Sequence, residues 1–360
     1  MRTACAAKTA AGRFFEDFRL GETIRHATPR TLNGGDASLY SALTGARFAP
    51  QSAETFARAI GYPASPIDDL LAFHVVFGKT VPEVSLNAVA NLGYADCRFL
   101  KPVFPGDTLS AVSQVIGLKE NSNRQNGVVY VRSQGFNQRG ETVIDYVRWV
   151  MVRKRDGSAV APETHVPKLP EAIAVAHLGA ACPRIDRAAF DEELSGSPYR
   201  FEDYCAGERI DHVDGVTVEE AEHQTATRLY QNAAKVHFNQ FSEGQGRFGR
   251  RLIYGGHVIS LARALSFNGL ANAFHIAAIN GGRHVAPLFA GDTVFAWSEI
   301  VETAELPGRD DVGGLRLRTV ATKNRACADF PWREGEGEGE GYEPHVVLEL
   351  DYWALAPRRP

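Results

Sequence analysis

The sequence predicts an α+β protein made of two tandem copies of one domain, each an antiparallel sheet wrapped around a long buried helix. Three observations predict it. The phrase "FEDFRLGETI" at 15–24 returns as "FEDYCAGERI" at 201–210, 186 positions on. "CRFLKPVFPGDTLSAVSQVI" (97–116) is echoed by "GRHVAPLFAGDTVFAWSEIV" (282–301), where Gly106-Asp107-Thr108 and Gly291-Asp292-Thr293 stand 185 apart. An offset that holds to within one residue over such a stretch is the duplication of a whole domain. Finally, each half carries one mostly apolar helical segment followed by alternating strands. A chain of 360 residues is also long enough for two domains of ordinary size.

Taken in order, each half opens with a short strand and short helical or irregular pieces. The segments "IDDLLAFHVVFGKTV" (67–81) and "GGHVISLARALSFNGL" (255–270) are apolar nearly all round, the mark of a helix buried on most sides. After each Gly-Asp-Thr, Leu109, Ala111, Ser113 and Val115, or Val294, Ala296, Ser298 and Ile300, alternate with period two, as half-buried antiparallel strands do. Residues 127–154 give two more strands about the turn Asn137-Gln138-Arg139-Gly140, and 315–326 and 344–356 are their second copy. Trp149, Trp297 and Trp353 on these strands read as core, and Asp107 and Asp292 as turn residues. The tract "EGEGEGEG" (334–341) reads as a flexible hairpin tip. The boundaries are a domain over 1–162, a proline-bearing linker over 163–196 and a second domain over 197–360.

Composition removes several functional classes. The 44% hydrophobic and 23% charged content is that of a globular protein. A net charge of −4 with no basic block argues against nucleic acid as a partner. The five cysteines (Cys5, Cys97, Cys182, Cys205, Cys327) are odd in number and lack any CxxC spacing, so we expect reduced thiols, no metal site and a cytoplasmic location. No apolar run reaches membrane-spanning length, and the first fifteen residues lack the apolar core of a signal peptide.

Two hot-dog halves carrying "RFLKPVFPGDTL" resemble the MaoC-like (R)-specific enoyl-CoA hydratases, over nearly the whole chain outside the linker and the Glu-Gly tract. In that family a Leu-Ser/Thr-Gly-Asp-x-Asn-Pro-apolar-His motif supplies an aspartate and a histidine that hold the reacting water. A later glycine opens the buried helix with its amide toward the thioester oxygen. The first half offers "LTGARFAPQ" (43–51): Leu43, Thr44 and Gly45 fit, but Ala46 and Gln51 stand at the acid and base positions. Neither exchanges a proton at neutral pH, so this copy is expected to be inactive. The second half offers "LYQNAAKVH" (229–237), with Asn232 for the aspartate and His237 retained, and "YGGH" (254–257) supplies Gly255. The phrases "LYSALTGARFAPQS", "LYQNAAKVHFN" and "RRLIYGGHVISLARALSFNGL" resemble the mesaconyl-CoA hydratase (β-methylmalyl-CoA dehydratase) branch of that family in particular. That resemblance implies reversible hydration of mesaconyl-CoA to β-methylmalyl-CoA, in acetyl-CoA assimilation through ethylmalonyl-CoA.

The residue types suit that chemistry. Hydration puts hydroxide on the β-carbon, a proton on the α-carbon and transient negative charge on the thioester oxygen. The N–H of Gly255, with that of Gly256, lies at a helix start, where the dipole favours such charge. His237 titrates near neutrality and can take a proton from water. Asn232 orients water but cannot act as an acid or base, so either His237 performs both proton steps in a syn addition or another carboxylate takes part. Glu243, in "NQFSEGQGRFGRR", is the candidate, with a solvated loop acid as the alternative. Arg247, Arg250 and Arg251 in the same loop either clamp a substrate carboxylate, meet the phosphates of coenzyme A, or are surface charges. His257 either lines the pocket or packs at the helix start. No cofactor is expected beyond the coenzyme A of the acyl-CoA substrate, and the chain is expected to form a homo-oligomer, most simply a dimer. The readings set against this one are a hydratase of another enoyl-CoA, a hot-dog thioesterase and a non-catalytic acyl-CoA-binding protein.

Overall fold

The computed structural model describes residues 8–180, 182–334 and 341–360. Its strands are β1 Thr23–Thr31, β2 Ala88–Phe99, β3 Thr108–Glu120, β4 Asn126–Phe136, β5 Thr142–Arg153, β6 Arg209–Thr217, β7 His275–His284, β8 Thr293–Glu305, β9 Val312–Lys323, β10 Arg333–Glu334, β11 Gly341–Tyr342 and β12 Val346–Pro357. Ten of them form one antiparallel sheet in the order β1-β3-β4-β5-β2-β7-β12-β9-β8-β6, and β10 and β11 pair separately. The order is palindromic about the β2–β7 seam, where Tyr94 pairs with Gly282 and Cys97 with Ile279. The sheet therefore runs without a break from one half into the other. The seam strands escape the sequence reading because "AVANLGYADCRF" and "HIAAINGGRH" are rich in small residues and show no clean alternation.

The repeated opening phrase has the same job in both halves. Phe15 and Phe201 lie flat on glycines of the sheet, Gly127 and Gly313, which are again 186 apart. A Cβ on Gly127 would stand 2.4 Å from the Phe15 ring, and one on Gly313 2.3 Å from the Phe201 ring. Only glycine admits so close an approach. Asp17 and Asp203 close each turn by accepting the backbone N–H of Phe14 (2.9 Å) and Arg200 (2.8 Å).

The sheet wraps two helices, Asp69–Thr80 and Gly255–Leu265, whose residues are almost all buried. His74 and Ser260, counterparts at the offset of 186, touch each other at 2.8 Å (Nε2 to Oγ), so the pseudo-two-fold axis of the duplication passes between them. One apolar cluster takes in both helices and both inner sheet faces. The alternating residues from Leu109 to Val115 and from Val294 to Ile300 all point into the interior, as expected. Trp297 and Trp353 are core residues, but Trp149 is not. It lies half-buried on the outer face, covering Gly93 and stacked on Tyr130 at 6.0 Å, while its neighbour Arg148 points inward.

Residues 163–196 do more than connect. Ile173, Leu178, Cys182, Ile185 and Phe190 are buried against Phe56, Ile60, Tyr62 and Phe274, so this segment packs between the short helices of the first half and the sheet of the second. The Glu-Gly tract, apart from its end residues Glu334 and Gly341, lies outside the described residues, as does Cys5. No helix among the described residues is long and apolar enough to cross a membrane.

Candidate active site

Asn232 begins the local structure that carries His237. Its Oδ1 accepts the N–H of Ala234 (3.1 Å), and the Ala234 carbonyl then accepts the N–H of His237 (3.0 Å) at the start of the short helix Lys235–Phe238. Asn232 is buried. His237 Nδ1 lies 2.9 Å from the Leu252 carbonyl. A carbonyl can only accept, so Nδ1 carries the proton and Nε2 is left with a free lone pair, the tautomer a base requires. Burial pushes this imidazole down to about 4, so it is neutral at pH 7.

The second buried helix starts directly beside it. The Tyr254 ring lies 5.4 Å from the His237 ring. Tyr254 donates its backbone N–H to His223 Nε2 (2.9 Å), which fixes that neutral imidazole too. The N–H groups of Gly255 and Gly256 meet no acceptor among the described residues, as the first amides of a helix do when a ligand is to take them. Both positions are crowded. A Cβ on Gly255 would fall 2.4 Å from His284 Nε2, and one on Gly256 would fall 2.5 Å from the Tyr254 ring and 2.6 Å from His74 Cε1.

The structure thus brings Asn232, His237, Gly255 and Gly256 to one place and adds His223, Tyr254 and His284, which the sequence did not mark as site residues. His284 Nε2 is buried without a partner, and burial, then the neighbouring His237, pushes its imidazole down to about 4. His257 is buried behind the helix start, with Nδ1 3.3 Å from the Tyr230 hydroxyl. The imidazoles do not form a metal site: among the described residues no group of three or more His, Cys, Asp or Glu could hold a metal ion.

The loop candidates sit elsewhere. Residues 240–250 make an exposed excursion closed at its base by the Leu252 N–H to Val236 carbonyl bond (3.0 Å). Glu243 accepts from the Ser242 hydroxyl (3.2 Å), and no hydrogen bond or ion pair joins it to His237 among the described residues. Arg251 is held by Gln224 and by Glu220 (2.7 Å) on the helix Glu220–Leu229. Arg250 covers the Phe289 ring at 4.0 Å, and Arg247 lies over Phe248 at 5.1 Å.

The equivalent place in the first half is filled. Asp69 stands where the second half has Gly255, and its Oδ2 accepts the Ile276 N–H (2.9 Å) and meets His275 Nδ1 at 3.0 Å. Gln51 donates to the Phe274 carbonyl (2.9 Å). A carboxylate at that helix start would repel an enolate rather than hold it.

The chain matches the family model described as mesaconyl-CoA hydratase over residues 3–329. It belongs to the mesaconyl-CoA hydratase family. It is 61% identical over 354 residues to the mesaconyl-CoA hydratase of Cereibacter sphaeroides, covering 98% of this chain and 100% of that one. It is 60% identical over 354 residues to the β-methylmalyl-CoA dehydratase of Chloroflexus aurantiacus, covering 98% and 99%. A solved MaoC-domain dehydratase structure from Chloroflexus aurantiacus superposes with a TM-score of 0.95 at 60% identity, covering 99% of this chain and 100% of that one. A Mycobacterium tuberculosis protein described as a double hotdog fold superposes with a TM-score of 0.73 at 24% identity, covering 96% and 98%, and bears on the fold alone.

The buried histidines predict an unusual response to acid. His212, His237, His257 and His284 are pushed down to about 4 and His223 to about 2, in each case chiefly by burial. The unfolded chain, with histidines near 6.5, then binds more protons than the folded one between the two values. Stability should be level above about pH 6.5 and fall as the pH drops toward 4, by up to about 1.4 kcal/mol per pH unit for each such histidine. Because His237 is already neutral at pH 6.5, kcat/KM should show no acid limb there. A profile of kcat/KM and thermal midpoint from pH 4.5 to 8 checks both, and a limb centred near 6.5 would contradict the buried neutral base.

Proposed function

We propose that this chain reversibly hydrates mesaconyl-CoA to β-methylmalyl-CoA, with the chemistry in its second half. The observation that carries the reading is the pair of unclaimed amides at Gly255 and Gly256 beside the lone-pair nitrogen of His237; membership of the family supplies the substrate. The thioester oxygen accepts from the two amides, and the helix start favours the enolate that forms there. Asn232, with Oδ1 held by Ala234, has its amide nitrogen left to donate to the water oxygen, which turns the water's protons toward His237. His237 Nε2 takes one proton as the hydroxide bonds to the β-carbon. The enolate charge beside it then stabilises the imidazolium, which returns the proton to the α-carbon on the same face. Dehydration runs the same steps backward. The same reading, resting on the sequence resemblance, puts the enzyme in cytoplasmic acetyl-CoA assimilation through ethylmalonyl-CoA, as a homodimer whose only coenzyme is the one its substrate carries.

Specificity constants for mesaconyl-CoA, crotonyl-CoA and a long-chain 2-enoyl-CoA test the reading. Mesaconyl-CoA should exceed the neutral acyl groups by on the order of 100-fold, the scale of one desolvated charge pair. A lead for the long chain would favour a general (R)-specific enoyl-CoA hydratase instead.

A further inference from the structure

Arg148 is fully buried and has no carboxylate partner among the described residues. Its guanidinium reaches only two hydroxyls, Thr80 Oγ1 at 2.7 Å from Nη2 and Ser85 Oγ at 3.3 and 3.4 Å, and Nε has no partner at all. The other buried arginines are provided for. Arg200 pairs with Glu192 (2.6 Å) and three carbonyls, and Arg263 donates to the Ala273 carbonyl and to Ser266. A buried cation without an anion is costly, and five donors facing two hydroxyls leave room for one more acceptor.

What surrounds Arg148 suits an anion. Tyr94 is its direct cross-strand neighbour. Tyr146, two residues before it on the same face of β5, has a buried hydroxyl that makes no well-formed hydrogen bond among the described residues, with Ser133 and Thr80 beside it. The Arg148 charge offsets part of the burial that pushes the phenols of Tyr94, Tyr146 and Tyr254 up, so all three lie within its field. His26 also lies in its field; burial pushes that imidazole down, its Nδ1 pairs with Glu83 (2.9 Å) and its Nε2 meets Ser113 Oγ (2.8 Å), so the nearby carboxylate of Glu83 is spent on the histidine and not on Arg148. Arg148 packs on Phe77 (4.2 Å), Phe77 on Tyr254 (5.6 Å), and Tyr254 is the ring beside His237. From the other side, Tyr94 meets His284 edge-on at 6.0 Å, and His284 abuts Gly255.

The duplication supplies a control. Arg148 pairs with Val131 and Tyr94; at the equivalent register Tyr352 pairs with Leu317 and Ile279. The second half thus has Tyr352 and Ile279 where the first half has the arginine and its tyrosine.

We propose that Arg148, with the phenols of Tyr94, Tyr146 and Tyr254, is the receptor for the carboxylate at the far end of the acyl group. The proposal rests on the hydratase reading above and moves acyl recognition from the surface loop of the second half to the interior of the first. The carboxylate takes Nε and an Nη in a bidentate pair, Tyr94 and Tyr146 donate to its remaining lone pairs, and Tyr254, whose hydroxyl lies 3.4 Å from His74 Nδ1, turns from that ring to join them. A neutral enoyl group leaves the cation unpaired, so the site selects by penalising the wrong substrate as well as by holding the right one.

Arg148→Met keeps the bulk and removes the charge. Its specificity constant for mesaconyl-CoA should fall by on the order of 100-fold or more, mainly through KM, while that for crotonyl-CoA stays within a few-fold of the parent. Its thermal midpoint without ligand should not drop, since an unpaired buried charge has gone. Equal losses on both substrates in a folded protein, or an unchanged preference for mesaconyl-CoA, would overturn the proposal. Should that variant fail to fold, the pair Tyr94→Phe and Tyr146→Phe is the second probe: the preference should narrow by about 10-fold at an unchanged midpoint, and a preference left intact would count against the receptor. A parent enzyme with no preference for mesaconyl-CoA would bring down the hydratase reading itself, and the receptor with it, whereas a parent that prefers it and an Arg148→Met that does too brings down the receptor alone.

Discussion

His237→Ala is expected to lower kcat for mesaconyl-CoA hydration by on the order of 100-fold or more, the usual loss when a positioned general base is removed. Gln51→Ala, at the same place in the other half, should leave turnover within a few-fold. The contrast follows from the two environments. His237 holds its proton on Nδ1 against the Leu252 carbonyl and offers Nε2 beside open amides. Gln51 is tied to the Phe274 carbonyl, next to a helix start already occupied by Asp69. KM should change little in His237→Ala, because the base acts in the transition state and not in holding coenzyme A. Loss of activity at both positions alike would refute the division of labour between the halves.

Gly255→Ala should cost nearly as much, on the order of 100-fold in kcat, the scale of losing one preorganised donor to an oxyanion. The methyl would stand 2.4 Å from His284 Nε2 and 2.5 Å from its Cε1, so either the ring or the helix start must move. Movement of the helix start takes the amide away from the thioester oxygen, and movement of the ring disturbs the site beside it. The fold should survive, since the clash is with the edge of one side chain at the rim of the core. Adding His284→Ala makes room for the methyl, and the double variant should recover part of the rate. Wild-type kcat in Gly255→Ala would rule out that amide as the oxyanion donor.

Much of this could be read from the chain itself, and the reason differs from residue to residue. The duplication was legible because the packing of Phe15 on Gly127 and Phe201 on Gly313 fixes both the phrase and its offset. Asn232, His237 and Gly255 were legible because their chemistry is bound to spacing along one turn and one helix start. His223 and His284 reach the site from a separate helix and from the seam strand β7, so no spacing connects them to it. Arg148 was hidden by the ordinary rule that an arginine in a strand faces water and the neighbouring tryptophan faces the core. Here the two are exchanged: Trp149 covers Gly93 outside and Arg148 lies within. The loop arginines attracted attention by their number, yet Arg251 is tied to Glu220 and Gln224, and Arg250 lies on Phe289. The segment 163–196 read as a connector because its prolines break regular structure; its apolar residues nevertheless pack against both halves.

The most direct test of a single site in the second half is a crystal structure with an unreactive mesaconyl-CoA analogue bound. The account predicts the thioester oxygen within hydrogen-bond distance of the Gly255 and Gly256 amides, the β-carbon facing His237 Nε2, and the acyl carboxylate directed toward Arg148. An analogue whose thioester lies beside Asp69 and Gln51, under the 163–196 segment, would contradict it.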